Sequence, residues 1–565
     1  MLPLKCLLAG LLVIVAACQA QPKADLIIYG GTIHTGNPDN PRVDMVVVKD
    51  GKIAFAGPKA ELENWQAPNT RLLNLAGKTM TSGLIESHGH FLSMGYARMQ
   101  VDLNDTRNYE EMIERVVEAA QTIPPGEWIL GRGWHQSKWS PQPEKMVGGF
   151  QTHDKLSAAV PDHPVFLRHA SGHAAIANAR AMEIAGVTRQ SQFGAGGEII
   201  KDGAGNPTGI FNEEAMTVIR DHIPKRTATS NRRALELASD YALENGITSF
   251  HDAGEQQDGL DLFREAAASG DLGPRLYVML DGSQPALLQH WFESGPLLDF
   301  ADNYLTVRAI KLYADGALGS RGAWLLEPYS DMPGHTGLAL QPMDSVLAIC
   351  ERALDHGFQV CTHAIGDRAN REVLNQYQSA MAEKSAKGAD VRFRVEHAQH
   401  LSAEDIPRFA QLGIIPSMQG IHMSSDRPWA IDRLGIKRIE EGAYVWQKLL
   451  QSGARVINGT DVPVEPINPV ACFYALVTRK TLAGTPEGGY EPAQKMTREQ
   501  ALRSYTRDAA YGAFQEDQKG TIEPGKLADF TVFSQDLLTI PEESLLDTRI
   551  EYTIIGGKIK YERGK

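Results

Sequence analysis

The 565-residue chain reads as an α/β protein: a (β/α)8 barrel with an inserted subdomain, joined to a small β-sandwich built from both chain ends. Three observations predict this. Strand-like apolar runs alternate with helical stretches through the middle of the chain; the two ends are rich in strands and turns; and one gap between runs is too long for a loop. The length agrees, since domains hold about 100–200 residues and α/β barrels reach roughly 250.

Residues 1–18 stand apart. Lys5 gives a positive start, Leu7 to Val15 form an apolar run too short to span a bilayer, and Val15-Ala16-Ala17-Cys18 places small residues before a cysteine. The stretch reads as an export signal. It resembles a bacterial lipoprotein signal, which implies cleavage before Cys18, lipidation of that cysteine and, with Gln19 next to it, an anchor in the outer membrane facing the periplasm; an ordinary cleaved signal or an uncleaved anchor is the alternative. Val15 departs from the leucine usual at its position. Of the remaining cysteines, Cys350, Cys361 and Cys472 are too widely spaced for a zinc finger and are expected as buried free thiols, with one disulfide as the alternative.

From Asp25 the text "DLIIYGGTIHTG", "DMVVVKDGKIAFAG" and "RLLNLAGKTM" alternates apolar and polar residues, and Asp50-Gly51 is a hairpin turn. The C-terminal "GTIEPGKLADFTVF" and "EYTIIGGKIKYERG" do the same, and "GGKIKYERG" echoes "DGKIAFAG". Residues 24–80 and 515–563 are therefore expected to pair into one sandwich, leaving 81–514 for the barrel. Eight strand runs fall there: 84–88, 247–252, 276–280, 307–313, 358–363, 393–397, 414–418 and 456–461. "RRALELASDYALENG" and "SVLAICERALDHG" between them have helical spacing and end at glycine. The gap of about 150 residues after the first run predicts an inserted subdomain over roughly 92–235. "FGAGGE" at 193–198 lacks the Lys-Ser/Thr of a phosphate cradle and reads as a turn.

With 42% hydrophobic and 22% charged residues the composition is that of an ordinary globular protein, and a net charge of -13 argues against a nucleic-acid partner. A small-molecule substrate is expected, with membrane contact only through the N-terminal lipid; the composition is also compatible with a homo-oligomer. Active sites of (β/α)8 barrels lie at the C-terminal ends of the strands, so polar residues there matter most. In "ESHGH" His88 and His90 are two apart and share a strand face. Alone, such a pair is as compatible with a packed, hydrogen-bonded histidine as with a metal. Other strand ends supply Lys311, His363, His397 and Asp461, residue types seldom buried unless paired or metal-bound.

In order, "GLIESHGHF", the strand lysine of "AIKLYADG", "THAIGD", "RVEHAQ" and "NGTDVPVEPINP" resemble the amidohydrolase superfamily, and within it the metal-dependent YtcJ-like branch, amidohydrolase family 3. "GRGWHQ", "SGHAAIANARAMEIAG", "GITSFHDAG" and "KLYADGALGSRGA" extend the likeness over nearly the whole mature chain. Ser82, Glu86 and Thr460 stand where proline, aspartate and serine are usual, and none removes a ligand. The resemblance implies two divalent cations, with zinc expected. His88 and His90 would bind one and His363 and His397 the other, Lys311 would bridge them as an N6-carboxylated (carbamylated) lysine, and Asp461 would contact the first metal and handle the proton. Chemistry agrees: imidazole suits zinc, and two close cations need a shared anion, which an ammonium cannot be. A Lys311–Asp315 ion pair or a mononuclear site remains the alternative.

The reaction expected is hydrolysis of a C–N amide-type bond, in an N-acyl, formamide or cyclic amide substrate, by a metal-activated hydroxide with Asp461 as proton shuttle. Esters, lactones or phosphoesters are the alternative substrates, and a non-catalytic small-molecule-binding lipoprotein the alternative function. His422, just past the seventh run in "QGIHMSSD", is expected to stabilise an oxyanion. In the inserted region Trp134, His135, Trp139, Arg168 and His173 form an aromatic and basic set suited to a pocket wall, with Trp134 and His173 expected to touch substrate. Asp367, Arg321 and Arg394 have surroundings polar enough to be structural.

Overall fold

The computed structural model describes residues 23–136, 139–169, 174–194, 197–224, 226–384 and 390–565. Residues 1–22, where an export signal and Cys18 lipidation are expected, the middle of "FGAGGE", and His173 lie outside the described residues. Two compact units divide the chain, one holding the described residues to Leu84 with Thr506–Lys565, the other Ile85–Tyr505.

In the first unit the alternation of side chains builds a sheet with two apolar faces. Leu26–His34, Arg42–Lys49 and Lys52–Gly57 form an antiparallel meander, and the last two are joined by Asp50 and Gly51, both at positive φ (51° and 74°), the conformation a two-residue hairpin requires. The chain ends meet where Thr79–Ser82 pairs antiparallel with Phe530–Phe533, setting Thr81 opposite Thr531. Ile550–Ile555 and Lys558–Glu562 complete the row, so hydrogen bonding runs through one continuous sheet made from both chain ends. Ile28, Val46 and Val48 share a core with Val532 and Ile554, while Ile27, Met45 and Val47 pack on the other face beneath Trp65. The unit also takes in helix Arg507–Tyr511, against which Gly520 packs so closely that a side chain there would meet Ala510.

The second unit holds the eight-stranded parallel barrel. Its strands are Leu84–Gly89, Ile247–Glu255, Arg275–Asp281, Leu305–Tyr313, Gln359–Ala364, Arg394–His397, Ile415–Met418 and Ile457–Asn458, hydrogen-bonded in that order. All eight fall on the runs read from the sequence. The last strand returns to the first through Asp461 N–H to His88 C=O and His90 N–H to Val462 C=O, both 2.8 Å. Helices stop where expected: Met343–His356 ends at Gly357, whose φ of 77° only glycine adopts readily. Cys350, Cys361 and Cys472 are buried and free, which removes the disulfide alternative among them. Among the described residues no helix is long and apolar enough to cross a membrane.

The long gap after the first strand is a folded insert. Helices Phe91–Arg98 and Ala228–Glu244 flank it and pack on each other, and between them lies a six-stranded mixed sheet. One face of this sheet carries Ile129, Trp134, Leu167 and Ile210 against Met112 and Val116 of helix Tyr109–Ala120. The other carries Phe166, Ala175 and Phe211 against Ala181 and Met182 of helix Ala179–Ile184.

Gly95 is where the flanking helices touch. A Cβ at this position would lie 1.9 Å from the Ala234 carbonyl oxygen, and helix backbone cannot yield cheaply. Gly95→Ala is expected to destabilise the protein by about 1–3 kcal/mol, as overpacking does. A thermal melt checks this, and an unchanged Tm would show that the helices part freely.

Candidate metal centre

Strand geometry first places the pair that opens the barrel. His88 lies in the first strand and His90 is the residue before helix Phe91–Arg98; their rings are 5.8 Å apart at 88° to one another. The eighth strand, closing on the first, brings Asp461 between them: Oδ1 is 3.5 Å from His88 Nε2 and 3.3 Å from His90 Nε2. Donor atoms of these three residues all lie within 4.8 Å of one another. Lys311, from the fourth strand, puts Nζ 3.3 Å from His88 Nε2. His363 and His397 end the fifth and sixth strands with ring centroids 4.4 Å apart, and His397 lies 4.9 Å from His88. His422, in the first turn of helix Gly420–Gly442, stacks on His397 at 6.1 Å and has Nε2 4.0 Å from Asp461 Oδ2. The structure thus gathers His88, His90, Lys311, His363, His397, His422 and Asp461 into one cluster.

The rings are oriented from behind. His88 Nδ1 bonds Glu396 Oε2 at 2.5 Å and His397 Nδ1 bonds Gln419 Oε1 at 2.7 Å, so both turn Nε2 toward the cluster. Glu396 is held by Arg394, whose guanidinium also donates to Ser87 O (2.6 Å) and Ser417 Oγ (3.0 Å). Arg394 is therefore structural. The sequence signal for Glu396 was present, since it precedes His397 in "RVEH", but strand alternation sends neighbours to opposite faces and offered no reason to join it to His88. Gln419 carried no signal at all.

Burial sets the protonation states. It pushes His88 down to about 4 and His363 to about 3, with Lys311 adding to both, and holds His397 well below its ordinary value. Burial likewise lowers Lys311. Burial alone would raise Asp461, but the bond to His90 and the neighbouring imidazoles outweigh it and keep the carboxylate charged. Neutral imidazoles with lone pairs converging on an anionic carboxylate are an acceptor-rich, donor-poor set. His363 Nε2 and His422 Nε2 are buried without a hydrogen-bond partner, with Asp315 Oδ1 3.5 Å from the first and Asp461 Oδ2 4.0 Å from the second. A His363 lone pair buried in this way is costly unless a cation receives it, so the donor set fits divalent metal, and nitrogen and carboxylate ligands suit zinc.

Several sequence expectations resolve differently. Asp315 does not pair with Lys311: it accepts backbone N–H bonds from Trp324 (2.8 Å), Ile365 (2.9 Å) and Gly366 (2.8 Å), which tie down the loop after the fourth strand. Among the described residues no carboxylate reaches ion-pair distance of Lys311 Nζ. Trp134, expected to touch substrate, is fully buried in the insert core with its indole N–H donating to Leu167 O at 2.9 Å. The cause is a bulge at Gly133 (φ 113°), where the register with the next strand slips and turns Trp134 onto the face of Ile129 and Leu167. Trp139 is buried in the same core, and His135 packs on His169 at 4.6 Å. Asp367 accepts from Leu326 N–H, and Arg321 pairs with Asp331, both away from the cluster.

Residues 71–561 match the model of the amidohydrolase family. The chain is 30% identical to the putative amidohydrolase YtcJ of Bacillus subtilis, over 95% of this chain and 99% of that one. It is 27% identical to the N-substituted formamide deformylase of Arthrobacter pascens, over 95% and 98%. Among solved structures, an uncharacterized metal-dependent hydrolase from Pyrococcus furiosus superposes with a TM-score of 0.74 at 26% identity, covering 91% of this chain and all of that one.

Because Gln419 fixes the His397 ring, Gln419→Ala is expected to lower divalent-metal affinity about 10–100-fold, as loss of an outer hydrogen bond to a ligand does. Competition with a chelator reads this, and an unchanged affinity would mean that His397 is oriented by something else.

Proposed function

The chain belongs to the amidohydrolase family, and from that premise we propose that this metal-dependent hydrolase cleaves a C–N amide-type bond in a small N-acyl, formamide or cyclic amide substrate. The observation that carries the reading is the convergence of neutral imidazoles, a desolvated lysine and a charged aspartate at one end of the barrel. The likeness to a formamide deformylase supports the amide bond over other acyl bonds.

In this reading His88, His90 and Asp461 would hold one cation and His363 and His397 the second. Lys311 would supply an anionic ligand after its neutral amine adds to CO2, forming an N–C bond and releasing a proton to solvent. Its burial favours that amine and outweighs the opposing pull of Glu396 and Asp461. When bound, the cations supply Lewis acidity for the carbonyl and acidify water. Asp461 accepts the proton of the attacking water and hands it to the departing nitrogen, so that a C–O bond forms as the C–N bond breaks and an acid and an amine leave. His422 Nε2, lacking a partner, is the group we assign to hydrogen-bond the oxyanion.

Metal content of the purified mature chain tests the bridge. Two equivalents are expected in the wild type, with a clear loss in Lys311→Ala; one equivalent in both would make the site mononuclear and Lys311 structural. The shuttle has its own test. Asp461→Asn is expected to lower kcat about 10²–10⁴-fold while retaining metal at the second position, and near-native kcat would remove Asp461 from proton transfer. A panel of formamides, N-acyl amines and cyclic amides beside lactones and phosphotriesters identifies the bond.

A further inference from the structure

In the insert, strands Val101–Asp102, Ile129–Trp134 and Val165–His169 run parallel, and their register sets Asp102 opposite Arg132 and Arg132 opposite Arg168. Residues opposite one another on neighbouring strands share a face, so the two guanidinium groups emerge side by side. Both line a cavity of about 500 Å³. It is also lined by Val462–Pro466, which begins one residue past Asp461, and by Ser93 and Met94 of the helix that follows His90. The cavity therefore abuts the two chain segments that carry ligands of the metal cluster.

Charge in this cavity is unbalanced. Four arginines and two carboxylates line it. Arg98 is occupied over the ring of Tyr241 at 4.4 Å and Arg226 over Tyr96 at 4.1 Å. Asp102 is engaged by Asn104, through its backbone N–H at 3.0 Å and its side-chain amide at 2.7 Å. Arg132 and Arg168 have neither a carboxylate nor a ring partner among the described residues. Burial, with Arg132 and Arg220 nearby, holds the Arg168 guanidinium below its usual value. Like charges directly opposite on a sheet are destabilising, and among the described residues neither Asp102 nor Glu465 forms an ion pair with Arg132 or Arg168.

We propose that Arg132 and Arg168 bind an oxyanion, carboxylate or phosphate, carried by the substrate at its end remote from the bond that is cut. Two adjacent planar forks match such a group bidentately, which isolated lysines would not. The place of this anion on a substrate rests on the amide-hydrolase reading; the binding site does not.

The test uses the zinc-loaded mature chain and a ladder of ω-acetamido acids, from N-acetylglycine to 6-acetamidohexanoate. Each is compared with its uncharged carboxamide and with the acetamidoalkyl phosphate of the same length. Calorimetry gives Kd and acetate release gives turnover. At the matching length an anion is expected to bind about ten-fold or more tightly than its carboxamide, as charge-assisted hydrogen bonds allow. The preference should shrink with added salt and vanish in Arg132→Gln and Arg168→Gln, and its strength for carboxylate against phosphate names the anion. No anion outbinding its carboxamide at any length, or a preference that survives both substitutions, overturns the proposal. Selective anion binding without acetate release keeps the site and removes the amide reading; equal turnover of acids and carboxamides does the reverse.

Discussion

Two backbone hydrogen bonds, from Asp461 N–H to His88 C=O and from His90 N–H to Val462 C=O, close the eighth strand on the first, and the rest of the centre depends on them. They bring a carboxylate to two imidazoles that lie more than 370 positions away in the chain. The closure is tight: a Cβ on Gly459 would sit 2.1 Å from Glu86 Oε1, so only glycine lets the strands approach. Glu86 then accepts the N–H groups of His88 (3.2 Å) and Thr460 (2.7 Å), and Thr460 Oγ1 donates to its other oxygen at 3.0 Å. Glu86 and Thr460 thus tie the eighth strand to the first across the seam.

Around that seam the protein keeps charge low where ligands must stay unprotonated and places it one layer back. Burial depresses the histidines. Behind them Arg394 and Glu396 form a fully buried ion pair, and Glu396 passes its acceptor to His88 Nδ1. Burial by itself would raise Glu396, and Arg394 with His88 overrides it and keeps it an anion. Breaking such a pair strands a buried charge, at a cost of about 3–5 kcal/mol. Backbone strain collects in the same place: His397 and Asp461 hold positive φ, 73° and 61°, which costs non-glycine residues of order 1–3 kcal/mol each and persists only where surroundings over-determine it. Here the parallel ladder and its closure do so.

The insert obeys a different logic. Its sheet is covered by apolar clusters on both faces, so most of its aromatic residues serve packing. Polar reach is left to strand ends, where Arg132 and Arg168 leave the covered part of the sheet. One bulged glycine decides which residue goes where: with regular pairing at Gly133, Trp134 would point with Arg132; with the bulge, Trp134 joins the core.

Sequence alone determined the eight barrel strands, the helices between them and the presence of a folded insert, because apolar periodicity is local and burial imposes it residue by residue. It also identified the strand-end polar residues, since charged and imidazole groups at the ends of apolar runs conflict with burial unless something receives them. Only tertiary structure decided what surrounds each one. Glu396 meets His88 across 308 positions, Gln419 turns His397, and Asp315 holds three backbone amides instead of Lys311. The pattern of a single strand records which face a residue shares with its neighbours two places away. It does not record a bulge that reverses that face, or which distant strand lies alongside, because those follow from register and closure and exist only once the sheet has formed.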